Sequence, residues 1–146
     1  AKIAVQWFVK KIMELDEELA VIENLINQKC QEIPHAGNIL EISGIGENTL
    51  SGILADMGDI SRFDDVKEIQ KLSGLGLVAC SSGKHKGETK ISHRGRKRFR
   101  YWFFQAAKSV VAHAEEFKEL HTYYTTRSDN LLKKMQSLIV IACKLL

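Results

Sequence analysis

Three serines lie in or beside the most basic stretch of the chain: Ser81 and Ser82 at its start, Ser92 within it. A serine hydroxyl is a weak nucleophile. Attack on phosphorus requires a base, desolvation or a metal to activate it, and positive charge around the phosphate. The stretch from Ser82 to Arg100, SGKHKGETKISHRGRKRFR, supplies such charge. It holds Lys84, Lys86, Lys90, Arg94, Arg96, Lys97, Arg98 and Arg100 against a single acid, Glu88. The rest of the chain carries 13 basic and 17 acidic residues, so the net charge of +3 conceals one focused cationic block on an acidic background. A block of this kind releases counterions when it meets a phosphate backbone, and log K falls by roughly 0.9 per phosphate neutralised as log[salt] rises. Nucleic acid is therefore the leading partner; the plainer alternative is a solvated basic helix start without a ligand.

The three serines are not equivalent. Ser82 precedes Gly83, which permits close backbone approach, and Lys84, whose ammonium can hold a phosphate. Ser81 is the neighbouring alternative. Ser92 falls just before a helical pattern and reads as its N-cap. From the residues alone, a Ser-Gly pair in a loop is usually structural. His85 and His93 suit general acid–base work or phosphate contact. With Cys80 they make only three ligands at an unfamiliar spacing, so no zinc site, and no metal site at all, is expected in this chain. His35, His113 and His121 have no supporting constellation.

These groups need elements to position them. A length of 146 residues with 45% hydrophobic and 8% aromatic content can bury a core. One proline and a helix-forming supply of Leu, Ile, Lys, Glu and Ala predict a mainly α fold. No apolar run reaches membrane-spanning length, no secretion signal is visible, and Cys30, Cys80 and Cys143 are odd in number without a CxxC pair. These features predict reduced thiols, no disulfide and a cytoplasmic, nucleoid-associated protein. Amphipathic periodicity is already running at Ala1 and still running at Leu146, as expected of a piece of something longer.

Val5, Phe8, Ile12, Leu15, Leu19, Ile22 and Ile26 recur at alternating spacings of three and four, an apolar seam that predicts a helix over residues 2–32, a coiled coil by preference with a long core helix as the alternative. Residues 1–34 are thus expected to pair protomers, as a homodimer or higher. Pro34 and Gly37 end this helix, with Gly37 taking the positive φ of a turn. From Ile39 to Phe63 two short periodic segments join through Ser43-Gly44-Ile45-Gly46, a helix-hairpin-helix over 39–58. Its glycines allow a tight turn, Ile45 plugs the core, and the free N–H groups opening the second helix, around Gly44, Gly46 and Thr49, offer a phosphate site that reads no base. An ordinary helical corner is the alternative. Asp64 and Asp65 cap VKEIQKLS, with Gly74 as its stop. Residues 77–91 read as a short β-hairpin or loop. A long helix follows Ser92, with Phe99, Trp102, Phe103, Ala106, Val110 and Ala114 on its core face. A last helix near 130–146 carries Leu131, Met135, Leu138, Ile139, Ala142 and Leu145.

The order SGIGENTLSGILADMGDISRF, LSGL, SSGKHKGETKISHRGRKRFRYWFFQAA, AEEFKELHTYY and ACKLL resembles the C-terminal domain of the insertion-sequence 110/116/902 transposases. These are also described as DEDD transposases or bridge-RNA-guided recombinases. The likeness covers 39–146 and, with the preceding helix, the whole chain; residues 35–146 form the implied domain, with its basic serine-bearing segment at 80–100. Two departures stand out. Ser43 replaces the commoner proline before Gly44, and Leu75-Gly76-Leu77 stands where Leu-x-Pro is usual. The resemblance implies DNA as substrate, guide RNA as a second candidate partner, Ser82 as nucleophile with Ser81 behind it, and Mg²⁺ held by a separate RuvC-like domain. It places Lys84, Lys86, Lys90, Arg94, Arg96, Lys97 and Arg98 on nucleic acid. Two other readings compete: a non-catalytic DNA- or RNA-binding and dimerisation module, and a structural protein with a merely solubilising basic block.

Overall fold

A computed structural model describes residues 2–82 and 85–146, with backbone alone across 79–82 and 85–89. Helices dominate. α1 spans Lys2–Gln31, α2 Ala36–Leu40, α3 Glu47–Met57, α4 Val66–Ser73, α5 Lys97–His113, α6 Glu115–Thr126 and α7 Lys134–Lys144; strands β1 Leu77–Ser82 and β2 His85–Ile91 form one antiparallel pair. A 3₁₀ turn, Ile60–Arg62, follows α3. No helix among the described residues is long and apolar enough to cross a membrane.

α1 contains neither glycine nor proline, and its bounds match the expected 2–32. The seam it carries is exposed along its length: Val5, Phe8, Ile12, Leu15, Leu19 and Ile22 all face solvent, Phe8 at 60% and Leu19 at 54%. Only the C-terminal turn joins the body, where Cys30 is buried and Asn27 donates to Glu47 of α3. There Ile22, Leu25, Ile26, Ile33 and Leu54 line an open apolar groove of about 480 Å³, so the seam continues onto α3.

The corner after α1 differs from expectation. His35, not Gly37, takes the left-handed conformation (φ 64°), and Gly37 lies inside α2. Pro34 removes a backbone donor and fixes its own φ, so the reversal is displaced onto the residue after it. The α2–α3 turn is built as the glycines suggest only in part. Gly44 has φ 101°, and a β-carbon there would stand 2.7 Å from the Ser109 carbonyl oxygen of α5. Gly46 is an extended N-cap that any residue can adopt. Ile45 is buried. Gly44→Ala combines a strained φ with a backbone overlap and should destabilise the fold by roughly 2 kcal/mol or more. The urea midpoint should fall at unchanged m.

α5 is the spine of the core. Phe99, Phe103, Ala106, Ala107 and Val110 are buried along one face, with Phe99 and Phe103 edge to face at 5.0 Å. α3, α6 and α7 pack around it, contributing Leu50, Ile53, Ile141 and Ala142. α3 approaches closely because Gly52 leaves room for the Trp102 ring. The expected single helix after Ser92 is shorter and divided: it starts at Lys97, and Ala114 (φ −110°, ψ 120°) separates α5 from α6. Alanine favours helix, so tertiary packing rather than propensity makes this corner; Ala114 is buried in it. α7 starts at Lys134, where the Lys133 N–H donates to Gln136 Oε1 at 2.9 Å. Its buried face is Ser137, Ile141 and Ala142, while Leu131 and Met135, expected inside, are exposed. The buried Ser137 hydroxyl meets His121 Nδ1 at 2.9 Å, which gives that histidine a structural place.

Candidate nucleic-acid interface

The basic block begins in the hairpin. Leu77 pairs with Ile91, Val78 with Lys90, Ala79 with Thr89, Ser81 with Lys86 and Ser82 with His85. The register slips by one residue between Ala79 and Ser81, a bulge of the kind that twists a strand and re-aims its far end. Ser82 is the last residue of β1, five strand residues beyond Leu77, which sets it roughly 17 Å from the hairpin base at about 3.3 Å per residue. Gly83 and Lys84 lie outside the described residues, as do the side chains of Cys80, Ser81, Ser82, His85 and Lys86.

A backbone clasp fixes where the hairpin leaves the body. α4 is capped by Asp65, whose carboxylate accepts from the Lys67 N–H at 3.0 Å, and stopped by Gly74 in left-handed geometry. Segment 92–96 then crosses the end of α4. The Ser92 N–H reaches Gly76 O at 2.8 Å, His93 N–H reaches Gly74 O at 3.1 Å, and Arg96 N–H reaches Leu72 O at 2.7 Å. Gly95 touches Gly74 and Leu72 so closely that a β-carbon has no room. Ser92 is not the cap of α5, as expected from sequence; Arg96 holds that position. The Ser92 hydroxyl instead accepts from the Arg94 N–H and donates to Gly74 O. It ties down the crossing, because the clasp uses the four residues that a longer helix would need.

The clasp sorts the arginines. Arg100 donates to Ser73 O at 2.9 Å, Arg96 donates to Asp56 O, and Arg98 Nε meets Asp56 Oδ2 at 3.0 Å. Asp56 was not singled out by sequence. It closes α3, where cations at a helix C-terminus are favourable, so Arg96 and Arg98 brace α3 against α5. Arg94 and Lys97 are exposed and have no side-chain partner among the described residues. Lys90, His93 and Lys97 come together around two adjoining hollows that share Ile91, His93 and Ile139. His93 is held at φ 54°, a region that non-glycine residues seldom occupy.

The α2–α3 turn lies elsewhere. Gly44 contacts α5 at Ser109 and Val110, about 18 Å along the helix from Lys97. At the start of α3 the Thr49 N–H is already bonded to Gly46 O at 3.0 Å, and the Glu47 carboxylate is held by Asn27. The fold therefore brings Lys90 and Lys97 to adjoining hollows, keeps Arg94 exposed on the segment between them, sets Ser82 beyond along the hairpin, and leaves Gly44, Gly46 and Thr49 near the other end of α5.

Among the described residues no three His, Cys, Asp or Glu side chains converge in a way that could hold a metal ion. Cys30 and Cys143 are free thiols. Burial, and then the charge of Glu47, raises the pKa of Cys30; burial raises that of Cys143. Both thiols are thus protonated and poorly nucleophilic near neutral pH. The Ser61 N–H, donating to the Asp59 carboxylate, lowers the pKa of that exposed acid, far from the basic block in sequence.

Residues 36–124 match the sequence pattern of the transposase IS116/IS110/IS902 family. The chain is similar to a candidate transposase, y4rJ, of Sinorhizobium fredii, at 27% identity over 120 residues, which cover 80% of this chain and 30% of that protein. It is also similar to an uncharacterized 44.8 kDa protein of insertion element IS116 from Streptomyces clavuligerus, at 23% identity over 132 residues, covering 90% of this chain and 32% of that protein. The chain thus spans about a third of the length of these curated relatives.

Proposed function

Because the chain belongs to the transposase IS116/IS110/IS902 family, we propose that it is the part of a transposase that grips DNA and carries the nucleophile for strand cleavage and rejoining. The observation that carries the DNA-binding half is the sorting of the basic block: Arg96, Arg98 and Arg100 brace the fold, while Arg94 and Lys97 are presented without partners at the root of the serine hairpin. Phosphate contacts of this kind position a duplex and carry no sequence information.

In the proposed reaction the Ser82 oxygen attacks phosphorus, with Ser81 as the alternative. The hydroxyl proton passes to a base, for which His85, opposite Ser82 in the strand register, is the candidate. The bond from phosphorus to the leaving strand breaks, the departing oxygen takes up a proton, and the other strand end stays on serine as a phosphodiester. Attack by a strand hydroxyl reverses these steps and rejoins DNA. Mg²⁺ is expected in a separate RuvC-like domain. The exposed seam of α1 is proposed to pair protomers.

Replacing Arg94 and Lys97 together with alanine should weaken binding to all duplexes alike and lower the slope of log K against log[salt] by about 0.9 for each phosphate contact removed. Arg98 is left in place because its loss would strip Asp56 of a partner. An unaltered slope would move the binding surface elsewhere. A second reading, a non-catalytic DNA- or guide-RNA-binding and dimerisation module, draws support from the distance between Ser82 and the cations at the hairpin root. It predicts unchanged salt-dependent binding but no covalent protein–DNA adduct.

A further inference from the structure

The hollow at the hairpin root has a chemistry that phosphate binding leaves unused. Ile91, Phe104 and Ile139 form its less exposed walls, Tyr101 and Met135 its open edge, and Lys97 and His93 line it beside them. Its volume of about 340 Å³ is on the scale of small-molecule sites. No carboxylate lines it or the adjoining hollow of about 370 Å³, where Lys90 stands. Lys97 and Tyr101 are four residues apart on α5 and so share a face; Tyr101 is 50% exposed and its ring makes an edge contact with Trp102 at 5.3 Å. An open apolar hollow with cations along it and no acid suits a ligand that joins an apolar ring to a phosphate. Single strands present this combination at every nucleotide, and aromatic side chains bind them by base stacking beside a basic track.

We propose that this hollow receives an unstacked base of a single DNA strand, with Lys97 and Arg94 on the flanking phosphates. The inference rests on the DNA-binding reading above and names the form of DNA that the hairpin root takes: a strand opened from its duplex. Tyr101 supplies stacking surface, Met135 and Ile139 close on the base from α7, and Lys97 holds the phosphate that fixes its position. Such a contact would keep an opened strand from closing back onto its complement next to the serine hairpin.

The test compares the 146-residue chain on a fluorescent thymidine oligomer and on an oligomer of equal length with an abasic sugar–phosphate backbone. The thymidine oligomer should bind at least about tenfold more tightly. Tyr101→Ala should remove most of that difference while leaving abasic affinity within about twofold, Tyr101→Phe should retain it, and Lys97→Ala should weaken both oligomers. Circular dichroism melts confirm that each variant is folded. Equal affinity of the unmodified chain for the two oligomers overturns the inference, as does an equal loss on both in folded Tyr101→Ala. If neither oligomer binds and duplex does not bind either, the DNA-binding reading has failed and this one with it; duplex binding without base preference defeats the hollow alone. A uridine RNA oligomer bound more tightly than thymidine, with the same dependence on Tyr101, overturns the assignment to DNA.

Discussion

Alanine at Ser82 should leave the protein folded and bound to DNA and remove strand cleavage. The expected loss in a complete transposase carrying this chain is at least about 10³-fold, because no remaining group in the Ser82 position can form the phosphodiester link, and loss of a nucleophile is rarely rescued by its neighbours. Stability should change by no more than about 0.5 kcal/mol, as expected for a small polar residue at the end of a two-stranded hairpin that leaves the helical core. Binding should persist, since the proposed phosphate contacts of Arg94 and Lys97 lie at the hairpin root. The measurement is a suicide substrate that traps the covalent adduct, followed by mass spectrometry of the attached peptide. An adduct on Ser81 or Ser92, or recombination at the normal rate in the Ser82→Ala protein, would sink the assignment. Ser92 is a demanding control: its hydroxyl is occupied by Arg94 N–H and Gly74 O, so its removal should loosen the clasp, and any loss of activity there should come with a lower melting temperature.

Local chemistry decides the features that were legible in the sequence. The α4 boundaries follow from Asp65 and Gly74 because a cap and a stop act within one turn, and the seam of α1 sets a helix wherever it is placed. The hairpin at 77–91 was legible from its extended segments and turn residues. The start of α5 was not, since Ser92 satisfies every local rule for an N-cap; the carbonyls of Leu72, Gly74 and Gly76, at and just beyond the end of α4, hold the backbone of 92–96 instead, through contacts spanning some twenty residues of sequence. The break at Ala114 has no local signal either. For the candidate site, charge density marked a segment but could not separate bracing arginines from presented ones. That division depends on Asp56, about forty residues upstream. Tyr101 escaped notice, and Met135 was read as core, for a related reason. Met135 fits the apolar stripe of α7 and Tyr101 adjoins a core aromatic, yet Lys97, Tyr101 and Phe104 repeat at four and three on a face of α5 separate from Phe99 and Phe103. That second stripe was visible in the sequence, beside the cations it serves.

Glutamate at both Leu15 and Leu19 should convert the proposed self-associated form to monomer. In the single chain these side chains are 46% and 54% exposed, so the substitutions add no buried charge to the isolated fold, and its melting temperature extrapolated to low concentration should be unchanged. In a paired seam the same positions face their counterparts, and carboxylates from both protomers meet against apolar surface, a penalty of several kcal/mol. The dissociation constant should therefore rise by at least about 100-fold, with unmodified protein sedimenting as a dimer or larger at tens of micromolar and the variant as a single chain. The exposed surface favours this outcome over a helix that merely stands free. Beyond the seven seam residues, Trp7, Val9, Met13, Val21 and Leu25 are also exposed, and a helix so apolar on several sides gains stability mainly by covering that area. A band this wide exceeds what one partner helix in a two-stranded seam covers, so association beyond the dimer is the direction to look for in sedimentation. An unmodified chain that stays monomeric at those concentrations would mean that α1 is covered by something other than its own copy.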